Sequence, residues 1–420
     1  LEFCKNSEIQ VCEYPTNGVV RRLKNRNSWD KIWSERMSEE IFQPTEIENV
    51  LKIPRELADI SKSTKQKYKK YLESVGNEYF HSENERNDNN RSLRVGNPFL
   101  QKGGEIMGQK ILKNFLEMRS SKYMYNISKP LESESWCSRL SPYIAYGCLS
   151  LKAVVQATQI RREELKNLGS DAAKNHRKSL QYFISRLHWQ SHFIQKLEDE
   201  PKMQFFNLNR DFDAIRKTAD KKLLETVFKA KSGIPYIDAV VRQLQQTGWT
   251  NFRSRAVLVS FLCNTLMQPW QAVAANVARL FTDYEPGIHY PQFQMQSGTT
   301  GINTIRIYNP IYNGEQKDPD GKFIYKYLPE LARVPKDFIH EPIYWEGFES
   351  LDYPEPIVNV KEANKKARDI LWKIKGNTPK AEKDRIIKKH ASRSFHGDRK
   401  KSLSKNKKEP QKNENQTVLF

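Results

Sequence analysis

The stretch TGWTNFRSRAVLVSFLCNTLM, Thr247 to Met267, decides how this chain is read. From Ala256 onward apolar residues fall on every side of a helix, the pattern of a helix buried in a core. Arg253 and Arg255 stand in its first turns. An unpaired charge in a core is prohibitively costly, so each guanidinium needs an anionic partner. Residues i and i+2 of a helix point roughly 200° apart, so the two arginines must reach different partners. Asp283 and Glu285, in TDYEPGIHYPQ beyond the next helix WQAVAANVARLF, are candidates for one of them. A plain buried salt bridge and a functional pair both satisfy this requirement, and the residues alone leave the choice open.

Outward from this stretch the same three-four spacing recurs in QKILKNFLEMR, SLKAVVQATQIRREEL, SLQYFISRLHWQSHFIQKLE, KLLETVFKA and YIDAVVRQLQQ. The expected fold class is therefore mainly α, with a large all-helical domain over residues 108–375. Residues 1–30 read as the end of another domain, with a helix end and a short alternating strand through Ile9, Val11 and Cys12, left by an Asn-Gly turn. The chain opens on Leu1 in mid-pattern, so an N-terminal part is expected to be missing. Residues 31–107, with the Asn/Asp/Arg-rich NERNDNNRSLRVGNP, read as an interdomain linker. Residues 376–420 are too polar to offset their ordering entropy and read as a basic, disordered tail.

With 70 Lys and Arg against 50 Asp and Glu, the 420-residue chain carries a formal charge of +20. No run resembles a membrane span, which makes nucleic acid the expected polyanionic partner and excludes a membrane one. The five cysteines form no C-x-x-C pair, so a reducing, cytoplasmic setting without a structural zinc is expected. His188 and His192 have i, i+4 spacing, but no Glu follows the first and no third ligand is evident, which argues against a metal. SGTTG, residues 297–301, lacks the lysine of a phosphate-binding loop and is only a turn signal.

Other polar groups point to a cavity. Ser135, Ser138 and Ser141 surround Arg139 just before Pro142, which suits a helix start where hydroxyls and free N–H groups either cap the helix or hold an anion. SRLHWQSH places Arg186, Trp189 and Gln190 on one helix, with an indole that either packs in the core or stacks on a base.

The ordered set SRLSPYIAYGCLS, KSGIPYIDAVVRQLQQTGW, RIYNP, DPDGKFIYKYLPEL and HEPIYW resembles the signatures of the DNA photolyase and cryptochrome family, over roughly Tyr125 to Trp345. EYPTNGVVRRLKNRNSW is similar to the exit from that family's N-terminal α/β, Rossmann-like antenna domain, of which residues 1–30 would be the remnant. The resemblance implies that the helical domain binds FAD, and that no antenna chromophore is held by this chain. It puts Arg255 in a pair with Asp283 beside the flavin. Tyr125, Ser138, Leu140, Ser141, Gln190, Tyr284 and Glu285 join them as cofactor contacts, and His289 falls near the flavin N5. Arg186, Trp189, Trp249, Phe252, Arg253 and Met295 fall on the DNA and substrate side, and Trp270 on the middle position of an electron relay, which makes Trp270 and His289 the catalytic candidates.

The implied activity is light-driven splitting of cyclobutane pyrimidine dimers in DNA by a monomer. The damaged pair is extruded from the helix, for which photolyases are themselves a standard case. Three departures favour the alternative, a cryptochrome-like blue-light photoreceptor without repair. The dimer-contacting Glu is replaced by Arg186, the flavin-proximal relay position by Phe293 and the surface one by Thr218. The two histidines expected of (6-4) enzymes are replaced by Asn251 and Phe252, which argues against (6-4) repair. Repair of cyclobutane dimers is the preferred expectation.

Overall fold

A computed structural model describes residues 18–23, 26–41 and 97–390. The expected strand near residue 10, the bulk of the linker and the last thirty residues of the tail lie outside the described residues. Helices occur in chain order as α1 (Trp29–Ser38), α2 (Glu105–Glu117), α3 (Tyr123–Asn126), α4 (Glu132–Trp136), α5 (Ser141–Ala145), α6 (Leu151–Asn167) and α7 (Asp171–Asp199). They continue as α8 (Lys221–Phe228), α9 (Pro235–Thr247), α10 (Phe252–Ser260), α11 (Trp270–Ala278), α12 (Pro286–Gln296), α13 (Pro310–Lys317), α14 (Lys322–Tyr327), α15 (Val360–Asn377) and α16 (Lys380–His390). No strand occurs among the described residues, so the mainly α expectation holds for them.

The longest helix, α7, begins at Ser170, whose hydroxyl caps the Ala173 N–H. Its buried face runs through Leu180, Phe183, Ile184 and Leu187, the three-four stripe that the sequence shows. This face packs into one core with Phe115, Tyr123, Leu140, Tyr143 and Val154. A second core gathers Ile237, Val240, Val257, Leu258, Phe261, Leu262, Trp270, Val273, Phe293 and Phe323. The apolar run after Arg255 lies at its centre, with Val257, Phe261 and Leu262 fully buried. The α-helical hydrogen bonding of α10 gives way at Phe261–Thr265 to one π-helical turn, where Leu266 N–H donates to Phe261 O.

Two spans differ from the sequence reading. Residues 29–38 were expected at the end of the remnant and the start of the linker, yet they form α1. Trp29, Trp33 and Met37 share one face and bury it against the first core, and Trp33 Nε1–H donates to Ser191 Oγ at 2.9 Å. At the other end, the start of the expected disordered tail is α16. Ile386 and His390 are buried there, and His390 Nε2 lies 2.8 Å from Glu200 Oε2. In α1 three well-spaced apolar residues, and in α16 Ile386 with the His390–Glu200 contact, order segments whose average composition is polar.

Gly248 positions the site. It closes α9 at φ +67°, and a Cβ there would lie 2.2 Å from Thr282 Cγ2. The Thr282 N–H donates to Gly248 O at 2.9 Å, so the segment after α11 is tied against the TGW turn. Gly287 plays a matching part at the start of α12, where a Cβ would stand 2.7 Å from Ile194 Cα of α7.

Candidate functional site

At the seam of the two cores lies a cavity of about 350 Å³, within the range typical of small-molecule sites. Tyr123, Leu140, Phe183, Leu187 and Trp249 face it from the first core, and Phe281 and Phe293 from the second. At one wall Asn251 caps α10 by accepting from the Ser254 N–H at 2.8 Å, which fixes the rotation of the helix that carries both arginines. Arg255 donates to both oxygens of Asp283, at 3.0 and 2.9 Å, and its Nε–H donates to Thr250 O at 2.9 Å. This is a bidentate pair, with the Asp283 side chain only 4% exposed. Burial alone would raise the Asp283 carboxyl. The charge and hydrogen bonds of Arg255, the Ser141 hydroxyl and the nearby charge of Arg139 together hold it below the ordinary value.

Arg139 stands over the Trp249 ring at 4.0 Å and has φ +60°. Its Nε–H donates to Gln101 Oε1 at 3.0 Å, while Gln101 donates to the Arg139 carbonyl at 2.9 Å. Burial lowers its guanidinium to about 10. Glu285 caps α12, accepting from Gly287 N–H at 3.0 Å. His289, one turn on, sits among the rings of Phe281, Tyr284, Tyr290 and Phe293 at centroid distances of 4.5 to 6.0 Å. Burial depresses it to about 4, so the ring is neutral at pH 7. Its Nε2 lies 3.0 Å from Ala274 O, and a carbonyl only accepts, so the proton is on Nε2 and Nδ1 is an acceptor.

The structure brings together most of the residues expected from the sequence. Ser138, Leu140, Ser141, Gln190, Arg255, Asp283, Tyr284, Glu285 and His289 line the cavity, as do Arg186, Trp189, Trp249, Phe252, Arg253 and Met295. Two expected residues stand apart. Tyr125 is 54% exposed and lies off the cavity wall, whereas Tyr123 lines it, because residues two apart on the short helix α3 face opposite ways. Trp270 does not line the cavity; it is buried behind Tyr290, with ring centroids 6.3 Å apart, and its Nε1–H donates to Asn207 Oδ1 at 2.8 Å. Tyr290 in turn is hydrogen-bonded to Tyr284, which is in the wall.

Sequence reasoning missed Tyr123, Thr250, Phe281, Gln292 and Tyr308 as wall residues. Only Thr250 carried a signal, as a hydroxyl inside the Arg-bearing segment. Thr250 is 1% exposed, and its Oγ1 makes no hydrogen bond among the described residues. The same is true of Nε of Arg186 and of Arg253. Buried, unsatisfied donors around a cavity are what a polar ligand would satisfy. Among the described residues no cluster of His, Cys, Asp or Glu is placed to hold a metal ion, and no helix is long and apolar enough to cross a membrane.

The family model described as the FAD binding domain of DNA photolyase matches residues 183–373, which span α7 to α15 and carry the Arg255–Asp283 pair. Over these residues the chain carries the FAD-binding domain found in DNA photolyases. It is 30% identical over 269 residues to a deoxyribodipyrimidine photo-lyase of Streptomyces griseus, covering 63% of this chain and 55% of that relative. It is also 26% identical over 310 residues to Cryptochrome-1 of Arabidopsis thaliana, covering 70% of this chain and 44% of the relative. Among solved structures, a class III photolyase of Agrobacterium tumefaciens superposes with a TM-score of 0.57 at 26% identity, over 65% of this chain and 56% of that one. The chain thus spans about half the length of the curated relatives it matches.

Proposed function

We propose that the protein holds FAD in the cavity between its two cores and uses it to split cyclobutane pyrimidine dimers in DNA under blue light. The observation that carries the reading is the bidentate Arg255–Asp283 pair, held in the wall of a cavity that also has unsatisfied donors and a cationic, aromatic mouth. The residues present fit the cofactor. Apolar rings on both sides suit a planar ring system, while Arg139, Arg255, Ser138 and Ser141 offer donors to its anionic and polar parts. FAD held by these residues would supply light-driven electron transfer that is redox-neutral overall.

The chain's own residues position and insulate. Arg255 and Asp283 fix a pair of opposite charges in a wall where their field is little screened. His289, neutral and donating to Ala274 O, presents an acceptor and not a second cation beside Arg255. Phe281 and Phe293 exclude water from the inner end, and Trp189, Trp249 and Phe252 offer stacking surface to an extruded base.

A second reading, a cryptochrome-like photoreceptor without repair, is favoured by Arg186 in place of the carboxylate and by Phe293 in the wall with Trp270 behind Tyr290. The test is the absorption spectrum of the purified chain, followed by chemical reduction and blue light with a dimer-containing oligonucleotide, with repair read as recovery of base absorbance. A flavin spectrum with repair supports the first reading. A flavin spectrum without repair after reduction rejects it for the second, and the absence of any flavin rejects both.

A further inference from the structure

The long helix α7 carries two polar faces. One, through Arg186 and Gln190, looks into the cavity. The other lies on the opposite side and shows Gln181, Ser185 and His188 at three-four spacing, although α6 and α1 pack there and a packed face is ordinarily apolar. With those two helices it encloses a second cleft of about 380 Å³, a size usual for small-molecule sites. The cleft shares no lining residue with the cavity between the cores. Trp33 and Ile184, both buried, supply its apolar surface. Trp33 is held by its hydrogen bond to Ser191 and by edge contact with the His188 ring, at 4.8 Å between centroids.

The polar groups divide between two ends. A connection of residues 168–170 joins α6 to α7, and the two pack as an antiparallel pair, so Arg162, near the end of α6, stands at the Gln181 end. His188 is two turns further along α7, about 10 Å away. At the first end Arg162 Nε is buried without a hydrogen-bond partner, and no carboxylate among the described residues pairs with the guanidinium. Gln159, Gln181 and Ser185 add two amides and a hydroxyl, none of them bonded to another described residue. Together these donors exceed what a carboxylate accepts and suit the terminal oxygens of a phosphate. At the other end Asp30, the one carboxylate among the described lining residues, accepts from His188 Nε2–H at 3.0 Å. Burial lowers the His188 imidazole against the pull of Asp30, so the ring is neutral at pH 7. The Asp30 side chain is 63% exposed, which leaves its second oxygen open to a hydroxyl, while its charge repels a second anion. We propose that the cleft between α1, α6 and α7 binds a small phosphate monoester with a hydroxylated body, its phosphate on Arg162 and a hydroxyl on Asp30. This binding is independent of the reading of the cavity between the cores.

The test is isothermal titration calorimetry of the full chain with glycerol 3-phosphate, inorganic phosphate and glycerol, at fixed ionic strength and in saturating FAD. Glycerol 3-phosphate is expected to bind saturably with one molecule per chain, inorganic phosphate more weakly, and glycerol without measurable heat. R162Q is expected to weaken both phosphates by about tenfold or more, the scale of a lost charge-assisted hydrogen bond. D30N is expected to weaken glycerol 3-phosphate and leave inorganic phosphate unchanged. Gln181→Trp, at an exposed position on the rim, fills the cleft and is expected to abolish binding of both; it decides the matter alone if R162Q does not fold. No saturable heat from either phosphate, undiminished affinity in R162Q or Gln181→Trp, or displacement of glycerol 3-phosphate by an oligodeoxynucleotide would overturn the site. Unchanged affinity for glycerol 3-phosphate in D30N would overturn the hydroxyl contact.

Discussion

Replacing Arg255 by alanine removes three hydrogen bonds at once: two to Asp283, and one from Nε to the Thr250 carbonyl. It leaves a carboxylate that is 4% exposed without its counter-charge. Breaking a buried ion pair from one side costs roughly 3–5 kcal/mol. The arginine side chain is 26% exposed, which places this site at the lower end, about 3 kcal/mol. The sign of the pH dependence should also reverse. In the native protein Asp283 is held below its usual value, so its contribution is present above the unfolded pKa and is lost as pH falls through the folded one. In R255A burial dominates and the folded pKa rises above the unfolded one. The variant is then least destabilised below about pH 4 and loses stability as pH rises through the raised value. The assay is urea unfolding between pH 4 and 8, with flavin content read from visible absorbance. The expected result is a lowered midpoint at pH 7, a narrower gap from wild type at pH 4, and loss of flavin. Adding D283N should recover part of the stability, since it removes the stranded charge. An unchanged midpoint with stoichiometric flavin in R255A would refute the argument.

Gly248→Ala should cost about 1–3 kcal/mol, because alanine is strained at φ +67° and its Cβ meets Thr282 Cγ2; an unaltered melting temperature would contradict the tie between the TGW turn and Asp283. Trp270→Phe should slow light-driven flavin reduction if electrons pass through Tyr290, and an unchanged rate would remove Trp270 from the route. His289 is held near 4, below its unfolded value, so its contribution to stability is complete above about pH 6.5 and lost as pH falls toward 4. An imidazole NMR titration of His289 with a midpoint above 6 would show the burial argument to be wrong. Glu200→Gln removes a carboxylate brought to about 2, chiefly by its hydrogen bond with His390, and should speed amide exchange across Lys380–His390; unchanged protection there would mean that Glu200 does not anchor the helix.

Local pattern made much of this legible before any packing was known. The three-four spacing announced the helices, and the cost of burying a charge required a partner for Arg255, which the structure supplies in Asp283. The same pattern failed at α1 and α16, where three and two buried side chains order otherwise polar segments. It failed again at Tyr125, since nothing in YMYN says how a single helical turn is rotated; the neighbours of Tyr123 settle that. The sequence by itself determined the helical class and the need of Arg255 for a partner, because periodicity and desolvation act along the chain; most residues of the cavity wall were named through the family resemblance, and the partner expected for Arg253 is not a carboxylate among the described residues. Only the tertiary structure decided that Trp270 sits one ring behind the wall, and that Arg186 and Arg253 meet on the ring of Phe252. Those placements follow from how helices far apart in sequence pack against one another, and short-range spacing carries no record of that.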